Sequence, residues 1–403
     1  MTKRILFVDD DAMVLSGLER SLRSMRKEWE MQFVLGGREA LDAMAHAPFD
    51  VVISDMRMPG MDGAELLERV KQQFSRTVRM VLSGQSDRDT IFRSTKPTHQ
   101  YFSKPCDAEE LKQKLIRALA LRDVLDNPKL MQWVSQVETV PSLPSLCQSL
   151  RSLLASPAAS IAAVADIVVQ DMGMTAKLLQ LVNSAFLGVA ERGSDPRRAV
   201  SVIGIENLRA LVSHDLFSEL PTPLAEKLHG LWRHSRATAA LAQAIVRAEG
   251  LPESVAQDAF TAGLLHDIGQ VVLASTCGEE YDAAIRLASA EHSTLVEGEQ
   301  GVFGTTHAQV GAYLLGLWGL PDAVVEAVAW HHAPGLARRE SFSPLIAVHV
   351  ANFLDRELHP SRPDASHDAI DLPLLTGLGV AEQLPVWKSQ CRELEDTKVS
   401  QNV

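Results

Sequence analysis

At 403 residues, the chain is long enough for two or three hydrophobic cores of ordinary size. Its 39 basic and 51 acidic residues give a formal net charge of −12, which argues against a protein that mainly coats nucleic acid or an anionic membrane. The N-terminus has no signal-peptide pattern, and no uncharged apolar run reaches the roughly 18 residues that would span a bilayer. The four cysteines form no CxxC pair, which fits a reducing cytoplasm.

Short apolar runs alternate with helical patterns through the first 125 residues. The predicted strands are residues 5–8, 31–35, 51–54, 78–82 and 99–103. The predicted helices are residues 12–25, 38–45, 64–74, 89–94 and 107–124. This alternation predicts an α/β domain, a doubly wound five-stranded parallel sheet with helices on both faces.

Polar residues follow four of these predicted strands. Asp9 and Asp10 follow the first strand and Asp55 follows the third, while Ser83 and Lys104 follow the fourth and fifth. Because the carboxyl ends of parallel strands share one edge of the sheet, these side chains should meet there. Clustered carboxylates suit Mg²⁺, which would let one aspartate attack a phosphoryl group whose oxygens a lysine and a hydroxyl contact.

Taken singly, a strand-end aspartate is more often a helix N-cap and a Lys-Pro pair more often a turn. Together, the residues match in order the receiver domain of two-component response regulators, which residues 1–125 resemble. The resemblance implies that a sensor histidine kinase phosphorylates Asp55, with Lys104 and Ser83 as catalytic residues and Ser83 and Tyr101 as switch residues. It implies Mg²⁺ ligands at Asp9, Asp10, Asp55 and the backbone carbonyl of Arg57.

Residues 126–140 predict a short, partly helical linker, since Pro128 disfavours a helical conformation in the residue before it. From residue 145 onward the apolar residues recur at helical spacing, which predicts an all-α domain over residues 141–370. Residues 371–403 predict a last helix and a loose polar tail.

The start of this helical region resembles an HDOD domain, a helical interaction module of bacterial signalling proteins. The residues that carry the resemblance are Pro141 to Pro144, Asp171-Met172, Asn183-Ser184 and Ile203-Gly204. We interpret Asn183 as a structural amide that satisfies backbone groups at a helix turn. The resemblance implies an output that acts through protein contacts rather than catalysis.

Nine of the thirteen histidines lie between His214 and His349, and some fall in motifs such as His266-Asp267. The pattern resembles the HD phosphohydrolases, particularly the HD-GYP branch that hydrolyses cyclic di-GMP at a metal centre. The matching ligand positions are His234, His266, Asp267, His307, His331 and His332. Three other positions depart from that family. Gly230 replaces a glutamate, Gln270 a lysine, and Asn352 a metal-binding aspartate.

Two functions follow from these resemblances. In the first, the protein is a cytoplasmic response regulator whose phosphorylation state reaches an unidentified downstream signalling protein, within cyclic di-GMP signalling or elsewhere. In the alternative, the six histidine and aspartate positions hold a transition metal and hydrolyse a nucleotide or cyclic di-GMP. DNA binding is disfavoured because no basic recognition helix is visible. A homodimer is compatible with either function.

Overall fold

The structure, a computed structural model, describes residues 2–84, 97–124, 128–184, 193–338, 340–359 and 369–401. Its N-terminal part is a parallel five-stranded sheet in the order β2-β1-β3-β4-β5, with helices packed around it. The strands are β1 (Lys3–Val8), β2 (Trp29–Val34), β3 (Val51–Asp55), β4 (Val78–Ser83) and β5 (Gln100–Ser103). The predicted doubly wound α/β fold is therefore confirmed.

The strand register aligns the carboxyl ends of the central strands. Val8 in β1 pairs with Ser54 in β3, and Ser83 in β4 pairs with Ser103 in β5. The β3 strand is buried along its whole length, as expected for a strand that is covered on both faces. Asp55, its last residue, therefore lies level with the other strand ends.

The helices of this part are α1 (Ala12–Ser21), α2 (Gly37–His46), α3 (Gly63–Gln73) and α4 (Ala108–Val124). The helix predicted over 12–25 divides, because α1 ends early and a 3₁₀ helix occupies Arg23–Lys27. Its i, i+3 geometry lets Leu22 and Met25 both enter the core. The short helix predicted over 89–94 lies outside the described residues.

The remaining chain is helical, as predicted. Its first helices are α5 (Pro128–Ser135), α6 (Pro144–Ala155), α7 (Ile161–Val168), α8 (Met172–Asn183), α9 (Pro196–Ile203), α10 (Ile205–Ser213), α11 (Thr222–Ala248) and α12 (Glu253–Leu265). They are followed by α13 (Ile268–Thr276), α14 (Gly278–Glu291), α15 (Leu295–Phe303), α16 (His307–Leu317), α17 (Asp322–Trp330), α18 (Pro344–Leu358), α19 (Leu372–Gly377) and α20 (Leu384–Gln401). The linker helix α5 lies inside the predicted linker.

The long helix α11 packs against α12 and α18. The C-terminal helix α20 also packs on α11, where Trp387 is buried and donates a hydrogen bond to Glu249 (3.1 Å). The segment predicted as a loose tail thus continues α20 as far as Gln401. Among the described helices, none is both long and apolar enough to cross a membrane.

The sheet and the helical region meet at β5. The side chain of Gln100 donates a hydrogen bond to the carbonyl of Leu317 at the end of α16 (2.9 Å). In the other direction, the amide of Gln180 in α8 donates to the carbonyls of Thr98 and His99 (3.2 and 3.1 Å). Gln100 and Gln180 are both buried, so these three hydrogen bonds between the two regions lie inside the molecule.

Arg79 in β4 connects the sheet with the linker helix. Its guanidinium donates to the carbonyls of Ser135 and Pro97, each at 2.6 Å, and its side chain is buried. His99 accepts a hydrogen bond from the backbone N–H of Arg79 at Nδ1, so its Nε2 carries the proton and donates to Ser135 (3.1 Å). Burial lowers the pKa of Arg79 to about 10. Burial, reinforced by Arg79, also holds the pKa of His99 well below its usual range.

Candidate functional site

Two aspartates and one lysine meet at the carboxyl edge of the sheet. Lys104, just after β5, donates a hydrogen bond to Asp9 Oδ2 at 2.7 Å and also forms an ion pair with Asp55. The Asp9 side chain is 2% exposed and the Lys104 side chain 28%, so the edge is sheltered on the Asp9 side and open on the lysine side. A small reagent can therefore approach the Asp55–Lys104 pair from solvent.

The Asp55 carboxylate is held in a defined orientation. Its Oδ2 accepts a hydrogen bond from the backbone N–H of Arg57 (2.8 Å). Gly63 starts α3 directly above the strand end, and a Cβ there would lie 2.2 Å from the Asp55 carbonyl oxygen. Burial raises the pKa of Asp55, and Lys104 partly offsets that effect. The edge thus concentrates negative charge that requires a cation, and its oxygen donors suit Mg²⁺.

Of the other residues predicted for this edge, Asp10 and Tyr101 are described in full. Asp10 is exposed beside Asp9, whereas Asp11 caps α1 by accepting a hydrogen bond from the N–H of Met13 (2.7 Å). Tyr101 is buried in β5. The hydroxyl of Ser83 lies outside the described part of the chain. The structure brings Asp9, Asp55 and Lys104 together, with Asp10 and the Arg57 backbone alongside.

A second cluster lies inside the helical region, and it contains all six predicted histidine and aspartate positions. Asp267, between α12 and α13, is at its centre. The shortest distances are His307 Nε2 to Asp267 Oδ1 (3.1 Å), His266 Nε2 to Asp267 Oδ2 (3.2 Å), His266 Nε2 to His234 Nε2 (3.2 Å), and His332 Nε2 to His307 Nε2 (2.9 Å). His331 Nε2 lies 3.7 Å from Asp267 Oδ1. His332 is half-buried and the other five residues are buried.

The outer nitrogens of these imidazoles have partners that orient the rings. His266 Nδ1 donates to the carbonyl of Gly263 (2.7 Å), and His331 Nδ1 donates to that of Val328 (2.9 Å). Since a carbonyl only accepts, the proton of each neutral ring is on Nδ1 and a lone pair on Nε2 faces the centre.

Carboxylates orient two other imidazole rings by accepting a hydrogen bond from Nδ1. Asp355 Oδ2 accepts from His234 Nδ1 (2.5 Å), and Glu299 Oε2 accepts from His307 Nδ1 (2.7 Å). Both carboxylates are fully buried. Neither residue was predicted from the sequence.

The electrostatics of the cluster follow from its burial. Burial opposes the charge on Asp267, but His266 and His307 outweigh it and hold the pKa of Asp267 well below its usual range. Burial also opposes a charge on His307, yet Glu299 and Asp267 raise its pKa to about 10. Burial and the neighbouring His332 keep the pKa of His331 well below its usual range. The cluster therefore combines a charged Asp267–His307 pair with neutral rings at His266 and His331.

The donor set of the cluster fits a transition metal ion. Imidazole nitrogens and one carboxylate converge, and this combination suits zinc, copper, iron or nickel better than Mg²⁺. Asn352 lies beside the cluster, and its Oδ1 is 3.0 Å from His234 Nε2. At this position the HD phosphohydrolases have an aspartate.

Asn183 lies outside both clusters. Its side chain donates to the carbonyl of Gly193 and accepts from the Gly193 backbone N–H, which supports its interpretation as a structural amide.

Comparison with protein families agrees with this two-part architecture. The response regulator receiver domain model matches residues 5–116, and the HDOD domain model matches residues 140–334. The chain thus carries a response regulator receiver domain followed by an HDOD domain.

Individual relatives cover parts of the chain. An uncharacterized protein of Treponema pallidum (strain Nichols) is 26% identical over 57% of this chain and 44% of its own length. The DNA-binding transcriptional regulator NtrC of Escherichia coli (strain K12) is 32% identical over 31% of this chain and 26% of its own length. The chain spans less than half the length of these curated relatives.

Among solved structures, the signal receiver domain of an HD domain-containing protein from Pseudomonas fluorescens Pf-5 is 31% identical, with a TM-score of 0.30. The alignment covers 31% of this chain and 100% of that domain. The MmoQ response regulator from Methylococcus capsulatus is 22% identical, with a TM-score of 0.46, over 62% of this chain and 98% of that one.

Proposed function

We propose that the protein is a cytoplasmic regulator controlled by phosphorylation of Asp55. A receiver domain implies a histidine kinase as phosphodonor. The Asp55 carboxylate oxygen attacks the phosphorus of the kinase phosphohistidine, the P–N bond breaks, and an acyl phosphate forms on Asp55. The observation that carries the proposal is the pairing of Asp9 and Asp55 around one lysine, because Lys104 is then placed to neutralise the phosphoryl oxygens.

Mg²⁺ is the cofactor that receiver domains typically use, and the oxygen donors at this edge fit it. Asp9, Asp10, Asp55 and the backbone carbonyl of Arg57 would hold the ion, which would offset the charge that the phosphoryl group brings. Ser83 and Tyr101 are the proposed switch residues. Tyr101 lies one residue from Gln100, and Gln100 contacts the helical domain directly.

The phosphorylation state reaches the HDOD domain through β5 in this proposal. Four polar side-chain atoms at the β5 contact and the adjoining linker helix are buried and have no hydrogen-bond partner among the described residues. They are Thr98 Oγ1, Gln100 Oε1, Ser135 Oγ and Gln180 Oε1. Each such atom costs about 1–3 kcal/mol, so this contact is less stable than an interface in which every polar atom is paired. Phosphorylation then loosens it and changes which signalling protein the HDOD domain contacts.

The receiver function is tested by labelling the full chain with a small phosphodonor in the presence of Mg²⁺. We expect one phosphoryl group per chain that base and hydroxylamine remove, as they do from an acyl phosphate, and that disappears in Asp55→Asn. Asp42→Asn, an exposed aspartate on α2, is the matched control and should label normally. Labelling that persists in Asp55→Asn would contradict the assignment.

The second candidate function is metal-dependent hydrolysis of a nucleotide or cyclic di-GMP. The convergent nitrogens around Asp267 favour a metal centre, whereas their burial leaves only His332 near the surface for a substrate. We therefore propose metal binding without efficient turnover. Purified protein that binds metal and also hydrolyses cyclic di-GMP, with both properties lost in His266→Ala, would replace the interaction-module proposal.

A further inference from the structure

The buried cluster has two parts that share Asp267. In the first part, the ligand atoms of Asp267, His307, His331 and His332 all lie within 4.8 Å of one another. Three imidazoles and one carboxylate form a complete four-coordinate set. In a tetrahedral site with bonds of about 2.0–2.1 Å, ligand atoms lie about 3.3 Å apart. The 2.9, 3.1 and 3.7 Å separations of this part fall around that value.

This first part also contains orphaned atoms. Neither carboxylate oxygen of Asp267, nor Nε2 of His331, has an aligned hydrogen-bond partner among the described residues. All three atoms are buried lone-pair donors. Asp267 Oδ1 faces His331 Nε2 within this part at 3.7 Å, whereas Asp267 Oδ2 faces His266 in the other part. Because an unsatisfied buried polar atom is costly, a cation bound between Asp267 Oδ1 and His331 Nε2 removes an unfavourable contribution from the fold.

Glu299 completes the surroundings of the first part. It accepts hydrogen bonds from both the backbone N–H and Nδ1 of His307, at 2.8 and 2.7 Å. Two bonds from one carboxylate fix both the helix start and the ring, so Nε2 of His307 is directed at Asp267. A carboxylate behind a metal-binding histidine orients the ring and raises its basicity. Glu299 is therefore a positioning residue for this part.

The second part consists of His234, His266 and the shared Asp267, and it is closed differently. His234 Nδ1 donates to Asp355 (2.5 Å), and its Nε2 faces the Asn352 amide oxygen at 3.0 Å. The uncharged amide thus occupies the position beside Nε2 where a second ion would need a charged ligand. Asn352 offers only a neutral oxygen, and Asp267 already belongs to the first part, so this part lacks a carboxylate of its own.

We infer that the cluster binds one transition metal ion, through Asp267, His307, His331 and His332, and that Asn352 prevents a second ion from binding beside His234 and His266. The inference rests on the metal centre proposed above. It assigns two residues beyond the ligands: Glu299 strengthens the occupied part, and Asn352 determines the stoichiometry.

The test is a titration of the metal-free full chain with Co²⁺ and with Zn²⁺, followed by absorption spectroscopy and by metal analysis after dialysis. We expect one ion per chain in the wild type and two in Asn352→Asp, which supplies the missing carboxylate. Glu299→Gln should weaken binding of the single ion by about 10- to 100-fold. Glu297→Gln is the matched control, because Glu297 is exposed on the same helix and glutamine preserves its capping box.

The outcomes separate the inference from its premise. A wild-type chain that binds no metal would remove the proposed metal centre itself. A wild type that binds two ions, or an Asn352→Asp variant that binds one, would overturn the division into unequal parts. Equal metal affinities of the Glu299→Gln and Glu297→Gln variants would show that Glu299 does not strengthen metal binding. If Glu299→Gln fails to fold, the number of ions bound by Asn352→Asp still tests the role of Asn352.

Discussion

Both clusters of this protein pair carboxylates with basic side chains, but the one at the sheet edge is open to solvent and the one in the helical domain is enclosed. At the sheet edge, Lys104 pairs with Asp9 and Asp55, and its side chain is 28% exposed. In the helical domain, Asp267 pairs with His266 and His307, and its side chain is 1% exposed. Group transfer requires that a reagent reach the nucleophile, so the open oxygen-rich edge suits phosphorylation. The closed, nitrogen-rich cluster suits an ion that stays in place.

The first prediction compares the effects of losing one carboxylate on the free energy of unfolding. Asp267→Asn should lower it by about 3–5 kcal/mol, because one of the two carboxylates that compensate the buried His307 is removed and His266 loses its charged partner. Asp55→Asn should change it by less than about 1 kcal/mol, since Asp55 already lies unfavourably close to Asp9. Urea unfolding of both variants measures the difference. Equal effects would mean that the buried cluster is not a charge-compensated network.

The second prediction sharpens the role of Lys104. Lys104→Gln should slow labelling of Asp55 by about 10²- to 10³-fold, because the cation that stabilises the developing charge on the phosphoryl oxygens is lost. The rate is measured with a small phosphodonor at saturating Mg²⁺. Lys112→Gln, on the neighbouring helix α4, is the control and should label at the wild-type rate. An unchanged rate in Lys104→Gln would remove the lysine from the proposed chemistry.

The third prediction concerns the contact between the two regions. Phosphorylation of Asp55 should raise hydrogen exchange about tenfold in peptides that contain Gln180 or Leu317, which corresponds to a coupling of about 1.4 kcal/mol. Peptides from the middle of α11 serve as the internal reference. The same phosphodonor should leave exchange unchanged in Asp55→Asn. Slower exchange at Gln180 after phosphorylation would show that the contact tightens instead.

The smallest expected effect is on the pH dependence of stability. Because the pKa of His99 in the folded protein is well below its usual range, the unfolded chain binds the extra proton. Stability is therefore lost as the pH falls from about 6.5 to 5.5, by on the order of 1 kcal/mol for this one residue. His99→Gln should remove that part of the pH dependence, as measured by urea unfolding at both pH values. Identical pH profiles would exclude the contribution.

Much of the architecture could be predicted from local patterns. Buried strands such as β3 (Val51–Asp55) appear in the sequence as continuous apolar runs. In β3 the apolar run leads directly to Asp55, the proposed site of phosphorylation. Parallel strands align their carboxyl ends, so order along the chain was enough to predict that Asp9, Asp55 and Lys104 meet. The His266-Asp267 pair was visible for a similar reason, because its two residues are adjacent in sequence.

Other residues were not predictable because their partners are distant in sequence. His234 and Asp355 are separated by 121 residues, and Gln100 and Leu317 by 217. No local pattern identifies an acid such as Glu299 as the partner of a ring on another helix. Such pairs depend on how helices pack, which is a property of the assembled core.

The sequence by itself determined the doubly wound sheet, the helical second domain and the strand-end residues at the sheet edge, because periodicity and strand order act locally. The six positions of the helical cluster followed from the resemblance to HD phosphohydrolases. Only the tertiary structure decided how those residues are used. Packing left the Lys104 edge open to solvent and enclosed Asp267. It also placed Asp355 and Asn352 on either side of His234, and burial makes each of those contacts strong enough to matter.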